Sequence, residues 1–265
     1  PKTRSVLAAQ MLGLVQLGAR MEMGCILDAP TWMANADRAA PLGYDPERLE
    51  EVNRDAVALM EDVRQSATRD DVLVSACVGP RHDPYADIAE MTVEEARAYH
   101  ARQLNVLKAT SVDLVTAYTF NRISEAAGCI LAARDTGLPV IMSLVVETDG
   151  CLTDGTPLTE AIDRIDVRSE GAALFFMVNC AHPSHFSDAV RAHPRLRGVV
   201  ANASRCSHEE LDEAVELDEG DPQELGHEIA AVMAANPAIK VFGGCCGTDM
   251  RHMKSMAQQV SGDKP

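Results

Sequence analysis

Residues 241–250, VFGGCCGTDM, set two cysteines side by side between glycine pairs, directly after a short apolar run. Adjacent cysteines do little for packing, but two thiolates a few ångströms apart make a strong soft-ligand pair. A third cysteine, Cys180, closes another apolar run, AALFFMVNC (172–180). Three thiolates within reach of one another favour Zn²⁺, which accepts sulfur tetrahedrally at about 2.3 Å. Three protein ligands leave a fourth position open, the pattern of catalytic zinc. The paired Cys-x-x-Cys spacing of structural zinc is absent. Gly243 and Gly244 read as the residues that let the backbone turn both side chains toward one ion, with Gly247 releasing the chain into a helix. Other readings remain at this point: a strained vicinal disulfide, buried thiols without a partner, or a closed four-ligand site completed by His182.

The three sulfurs meet only if the fold brings their strand ends together. Apolar runs alternate with helical patterns along the whole chain. Strands are read at 24–30, 72–80, 112–118, 139–147, 172–180, 196–204 and 239–244, and helices at 3–21, 45–67, 92–111, 123–137, 158–167, 185–193, 221–236 and 248–260. The helix starts carry local signals: Asp45 and Asp221 each stand before a proline, and Thr92 with Glu95 forms a capping-box pattern. The strands are near-continuous apolar runs, as in parallel sheets covered by helices. Seven strand–helix units after an opening helix predict a (β/α)8 TIM barrel that lacks its first strand, in one domain over residues 1–265. On that count the missing strand lies before Pro1 and the chain is N-terminally truncated. No glycine-rich phosphate loop follows the first strand to favour a doubly wound sheet.

In such a barrel the chemistry lies at the C-terminal strand ends. Those ends offer Asp28 with Trp32, Cys77, Tyr118, Glu147, Asn179 with Cys180, Asn202 with Ser204, and Cys245 with Cys246. With the missing strand counted as first, Cys180 follows the sixth strand and the cysteine pair the eighth, so the sulfurs can converge at the barrel mouth. Asp28, Trp32, Tyr118, Glu147, Asn179, Asn202 and Ser204 are candidate substrate contacts. The acidic run at 209–221 reads as a solvated loop, with a lid over the mouth as the other possibility.

The bulk properties narrow the partners. A formal net charge of −16 over 265 residues repels phosphate backbones and anionic lipid, so nucleic acid and membrane surfaces are excluded. No apolar stretch approaches the roughly 20 residues that span a bilayer, and no basic-then-apolar signal opens the chain. Eight cysteines without an export signal point to reduced thiols and a cytoplasmic protein. An open barrel edge would favour a homo-oligomer.

VNCAHP (178–183) and VFGGCCGTD (241–249) resemble the two zinc motifs of the homocysteine S-methyltransferase family. Further segments fall where that family has similar ones, among them DLVTAYTF (113–120), EAAGCILAARDTGLPVIMS (125–143) and DGTPLTEAI (154–162). The resemblance implies a zinc-dependent barrel with Cys180, Cys245 and Cys246 as the ligands. It implies small-molecule partners: homocysteine, whose thiol is methylated to methionine, and a methyl donor. A sulfonium or quaternary-ammonium donor suits the chemistry, because each departs as a neutral molecule. Two departures from the family pattern stand out. The family's opening strand with its Asp-Gly-Gly-like turn is absent. Where many members carry a glutamate for the homocysteine amino group, this chain has Tyr118 and Thr119, which leaves Glu147 and Asp28 as candidates to supply the charge from a neighbouring strand. Two other readings follow from these departures: methyl transfer to a different thiol, or a non-catalytic barrel.

Overall fold

The computed structural model describes residues 2–85, 89–190 and 193–262. Seven strands, β1 (Cys25–Ala29), β2 (Val72–Val78), β3 (Leu114–Phe120), β4 (Val140–Leu144), β5 (Phe176–Asn179), β6 (Leu196–Ala201) and β7 (Val241–Gly244), pair in chain order, every pair parallel. Helix α1 (Lys2–Arg20) precedes β1. The connections carry α2 (Ala36–Ala39), α3 (Pro46–Ala67), α4 (Val93–Lys108), α5 (Ile123–Thr136), α6 (Leu158–Arg168), α7 (Pro183–Val190), α8 (His208–Asp212) and α9 (Pro222–Ala235), and α10 (Met250–Ser261) follows β7. This is the seven-strand barrel order read from the sequence, curled but not closed. Among the described residues β1 and β7 do not pair.

Local chemistry sets the helix starts. The Asp45 carboxylate accepts from the Arg48 amide at 2.8 Å, and Pro46 occupies the first turn. The capping box of Thr92 and Glu95 is formed in both directions. Gly137 ends α5 at φ 79°, a left-handed cap that glycine adopts without strain. Helix α5 is buried on nearly every side, and Gly128 lets α4 approach so closely that a Cβ there would meet Ala96 at 2.5 Å.

Several boundaries differ from the sequence reading. The strand read at 112–118 begins at Leu114 and runs on to Phe120. It is bulged between Ala117 and Phe120, where Thr119 takes φ 67°. The helix read at 185–193 spans Pro183–Val190, and residues 191 and 192 of that reading lie outside the described ones. The acidic run opens with the short helix α8 before continuing as exposed chain. Neither Gly243 nor Gly244 bends the chain. Both are ordinary strand residues of β7, and the left-handed turn falls to Gly247 at φ 74°.

Two apolar layers hold the sheet. The larger lies between strands and helices. A smaller cluster of Leu114, Ile141 and Met177 joins neighbouring strands β3, β4 and β5 on the concave side. Strands β3, β4 and β5 are buried almost throughout, whereas all four residues of β7 are only half-buried. Between β1 and β7 a cavity of about 1030 Å³ opens into the concave side, lined by Cys25 and Ile26 on one flank and Val241 and Phe242 on the other.

Candidate metal centre

The sulfurs of Cys180, Cys245 and Cys246 converge at the C-terminal ends of β5 and β7, all within 4.8 Å of one another. Cys180 and Cys246 are 3.4 Å apart, and Cys245 and Cys246 4.0 Å. Four sulfurs placed tetrahedrally about 2.3 Å from an ion lie about 3.8 Å from each other. The spacing therefore fits a tetrahedral thiolate site, and all eight cysteines of the chain are free thiols. Cys180 is buried, Cys245 half-buried and Cys246 exposed, so the cluster has a closed back and an open front.

The backbone is built to make this meeting. Cys180 sits at φ 55°, left-handed and unusual for a side-chain-bearing residue, which turns its Sγ out of the strand direction. Its amide donates to the Val200 carbonyl at 3.0 Å. On the other strand the Cys245 amide donates to Ala201 at 2.7 Å, and the Cys246 carbonyl accepts from Ala203 at 3.0 Å. Both cysteines are thus held by the end of β6, which lies between β5 and β7. At Gly247 a Cβ would meet the Asp218 carbonyl at 2.5 Å, so the turn after the pair needs glycine for both φ and space.

Without an ion the thiols share protons as a coupled set. Hydrogen bonds from Cys180 and then Cys245 hold the Cys246 thiol well below its usual value, and His208 adds to this. Cys245 is pushed up by its hydrogen bonds with Cys180 and Cys246 and then by burial. For Cys180 a hydrogen bond with Cys245 that lowers it is outweighed by the one with Cys246 and by burial, and it moves up to about 12.

The remaining sequence candidates fall into two groups. Asn179 is buried and spent on structure. Its Oδ1 accepts from the Thr119 amide at 2.9 Å and the Ser143 hydroxyl at 2.7 Å, and its Nδ2 donates to Thr119 Oγ1 at 2.9 Å. Asn202 accepts from the Ser204 amide at 3.1 Å, and the Ser204 hydroxyl donates to Asp218 at 2.5 Å, so both shape the loop after β6. Trp32 packs on Gly79 and donates its indole N–H to the Tyr118 carbonyl at 3.0 Å. The second group faces the concave side. The Tyr118 hydroxyl donates to Asp28 Oδ2 at 2.9 Å, and burial pushes both groups up. Glu147 stands apart from that pair, at the sulfur end, and meets His208 Nδ1 at 3.2 Å.

His208 and Tyr85 are the residues that sequence reading missed. His208 Nε2 lies 2.9 Å from the Cys180 carbonyl, so this one ring links Glu147 to the backbone of a sulfur-bearing residue. Tyr85 stacks on it with ring centroids 4.2 Å apart, and its hydroxyl is pushed up by burial and then by the neighbouring cysteines. The signal for His208 was present: Ser207 and Glu210 form a capping box that starts α8 with His208 at its first position. No comparable signal marks Tyr85.

A family model described as Homocysteine S-methyltransferase matches residues 15–260. Betaine--homocysteine S-methyltransferase 1 from Bos taurus is 22% identical over 268 residues, covering 90% of this chain and 61% of its own length. Its counterpart from Danio rerio is 23% identical over 219 residues, covering 76% and 53%. This chain thus spans a little over half the length of these curated relatives. The metallated Escherichia coli homocysteine methyltransferase MmuM superposes with a TM-score of 0.72 at 17% identity, over 94% of this chain and 83% of that one. The oxidized form of the same enzyme gives 0.75 at 17% identity, over 96% and 84%. Among the described residues no helix is long and apolar enough to cross a membrane.

Proposed function

The chain belongs to the homocysteine S-methyltransferase family, and on that premise we propose that it methylates the thiol of homocysteine, giving methionine. The observation that carries this reading is the convergence of three cysteine sulfurs at one open-fronted point. Cys180, Cys245 and Cys246 would hold Zn²⁺, which when bound lowers the proton affinity of a substrate thiol while leaving it nucleophilic. The chain's own part is positioning. Cys180 anchors the centre from the buried strand β5. The turn at Gly247 presents Cys245 and Cys246 from β7. His208 and Glu147 brace the carbonyl of Cys180.

The methyl donor is a sulfonium or a quaternary ammonium. A new sulfur–carbon bond forms as the donor's bond to the methyl carbon breaks, the electron pair leaves with the donor, and the thiol proton passes to solvent. No covalent enzyme intermediate is required, so alignment of the two small molecules is the main demand on the protein. The acidic surface, net charge −16, attracts a cationic donor and repels polyanions. Eight free thiols suit a reducing compartment such as the cytoplasm. We take the chain as one barrel unit.

The test is metal content of the purified, reduced protein, with zinc–sulfur coordination followed by X-ray absorption. One zinc with three sulfurs, rising to four on addition of homocysteine, is the expected result. Replacement Cys246→Ser should abolish both metal and turnover. Turnover that survives this substitution sinks the zinc-thiolate reading.

A further inference from the structure

The loop between β6 and α9 touches both halves of the metal centre. At its head stands His208, the first residue of α8. Only 12% of this side chain is exposed, although an acidic run follows it. The ring is held on three sides. Nδ1 meets Glu147 Oε2 at 3.2 Å, Nε2 meets the Cys180 carbonyl at 2.9 Å, and Tyr85 stacks at 4.2 Å between centroids. A carbonyl only accepts, so Nε2 carries a proton and donates it. That bond falls on a backbone that needs support. Cys180 sits at φ 55°, where a residue with a side chain stays only if its surroundings hold it. Its amide is fixed by Val200 and its carbonyl by His208.

The foot of the loop presses on the other half. The Asp218 carboxylate accepts from the Ser204 hydroxyl at 2.5 Å and from the Gly220 amide at 3.0 Å. The Asp218 carbonyl lies over Gly247, so close that a Cβ there would be 2.5 Å away. Ala203, next to Ser204, donates its amide to the Cys246 carbonyl at 3.0 Å. His252 fixes the following carbonyl, that of Glu219, at 2.8 Å. Between head and foot the chain is left to solvent, with Val215 99% and Leu217 70% exposed. The loop's contacts are concentrated where the sulfur-bearing residues are.

We infer that this loop sets the spacing of the three sulfurs, with His208 the positioning residue for Cys180 and Asp218 the positioning residue for the Cys245–Cys246 turn. Strands β5 and β7 bring the cysteines to one end of the sheet, but β6 lies between them. The strands alone therefore leave one sulfur free to drift against another, and the loop that leaves β6 reaches both sides. Partners of this kind orient a metal ligand without touching the ion. The inference rests on the thiolate centre proposed above and concerns how that centre is held.

The test measures zinc affinity by competition with a chromophoric chelator, starting from the reduced, metal-free protein. His208→Gln and His208→Met are close in volume and both fill the space against Tyr85, but only the glutamine amide can donate to the Cys180 carbonyl. His208→Met should bind zinc about 10- to 100-fold more weakly, and His208→Gln should recover most of that loss. With cobalt in place of zinc, His208→Met should change the visible bands of tetrahedral thiolate coordination, and His208→Gln should restore them. A merely structural histidine would lower the melting temperature of the metal-free protein in both variants and leave their zinc affinities equal. Equal affinities therefore overturn the role of His208. Asp218→Ala, at an exposed position, should weaken zinc about 2- to 10-fold, the range of an ordinary hydrogen bond. It keeps the test open if the His208 variants misfold, and undiminished affinity in it overturns the role of the loop at the turn. If the unmodified protein takes up no zinc, the thiolate reading itself falls and this inference with it.

Discussion

The sheet has a wall and a flank, made from the same kind of sequence. The β3–β5 wall is covered by helices outside, its inner side chains Leu114, Ile141 and Met177 pack on one another, and its residues are almost all buried. The β7 flank is half-exposed along its length and, with β1, borders the 1030 Å³ cavity. Strand chemistry alone did not produce that difference, since VFGG and FMVN are both short apolar strands. Having neighbours on two sides did. The candidate metal centre joins the two regions: Cys180 comes from the wall, Cys245 and Cys246 from the flank. An ion held there would tie an edge strand to a rigid one, so ligand geometry would depend on how well the flank is held.

Paired substitutions test that contrast most directly. Phe176→Ala in the wall should cost about 3–5 kcal/mol in urea unfolding, as fully buried aromatic truncations do. Phe242→Ala in the flank should cost less, about 1–2 kcal/mol, because part of its surface is already in water. Equal costs would mean that the flank is covered in solution and the contrast is wrong.

A smaller effect should come from pH. His182 follows Cys180 on the wall side. Burial first, then Arg205 and His185, push its pKa down to about 4. Glu228 faces it at 3.1 Å without the alignment of a hydrogen bond and does not offset this. The unfolded chain takes up this proton near pH 6.5, whereas the folded chain waits until about 4. Stability is therefore full above pH 6.5 and is lost as pH falls toward 4, by about 3 kcal/mol at most. Denaturant melts across that window should show the loss, and His182→Gln should flatten it. A profile that His182→Gln leaves unchanged removes His182 as the cause.

The smallest effect is local. With Zn²⁺ held by Cys180, Cys245 and Cys246 as proposed, chelation should speed amide exchange in β7 and the 245–248 turn by about an order of magnitude, with β3 and β4 unchanged, because only the flank loses a tie. Equal acceleration in both regions would show that the centre supports the whole sheet rather than the flank.

Much of this was legible in the residues. Asp45, Thr92, Glu95 and Asp221 act through contacts two or three positions away, so their roles could be read locally. The seven apolar runs mark the strands because burial on two faces demands uninterrupted apolar sequence. The double cysteine was visible as a ligand pair. What the residues concealed depends on long-range contacts. β3 ends late because Asn179, sixty positions away in the chain, accepts from the Thr119 amide and stabilises the bulge. His208 reaches the Cys180 carbonyl across 28 positions, from just before the acidic run that read as a solvated loop or a lid. Gly243 and Gly244 looked like hinges from their type alone, but their strand pairing with β6 keeps them straight.

The sequence by itself determined the order of strands and helices and the helix caps, because each rests on periodicity or on neighbours within one turn. Tertiary structure alone decided which acids are spoken for. Glu147 and Asp28 were equal candidates on paper. Folding put a histidine 61 positions away against Glu147, and left one Asp28 oxygen without a partner beside a cavity. That outcome follows from electrostatics in a space that exists only once the sheet has curled.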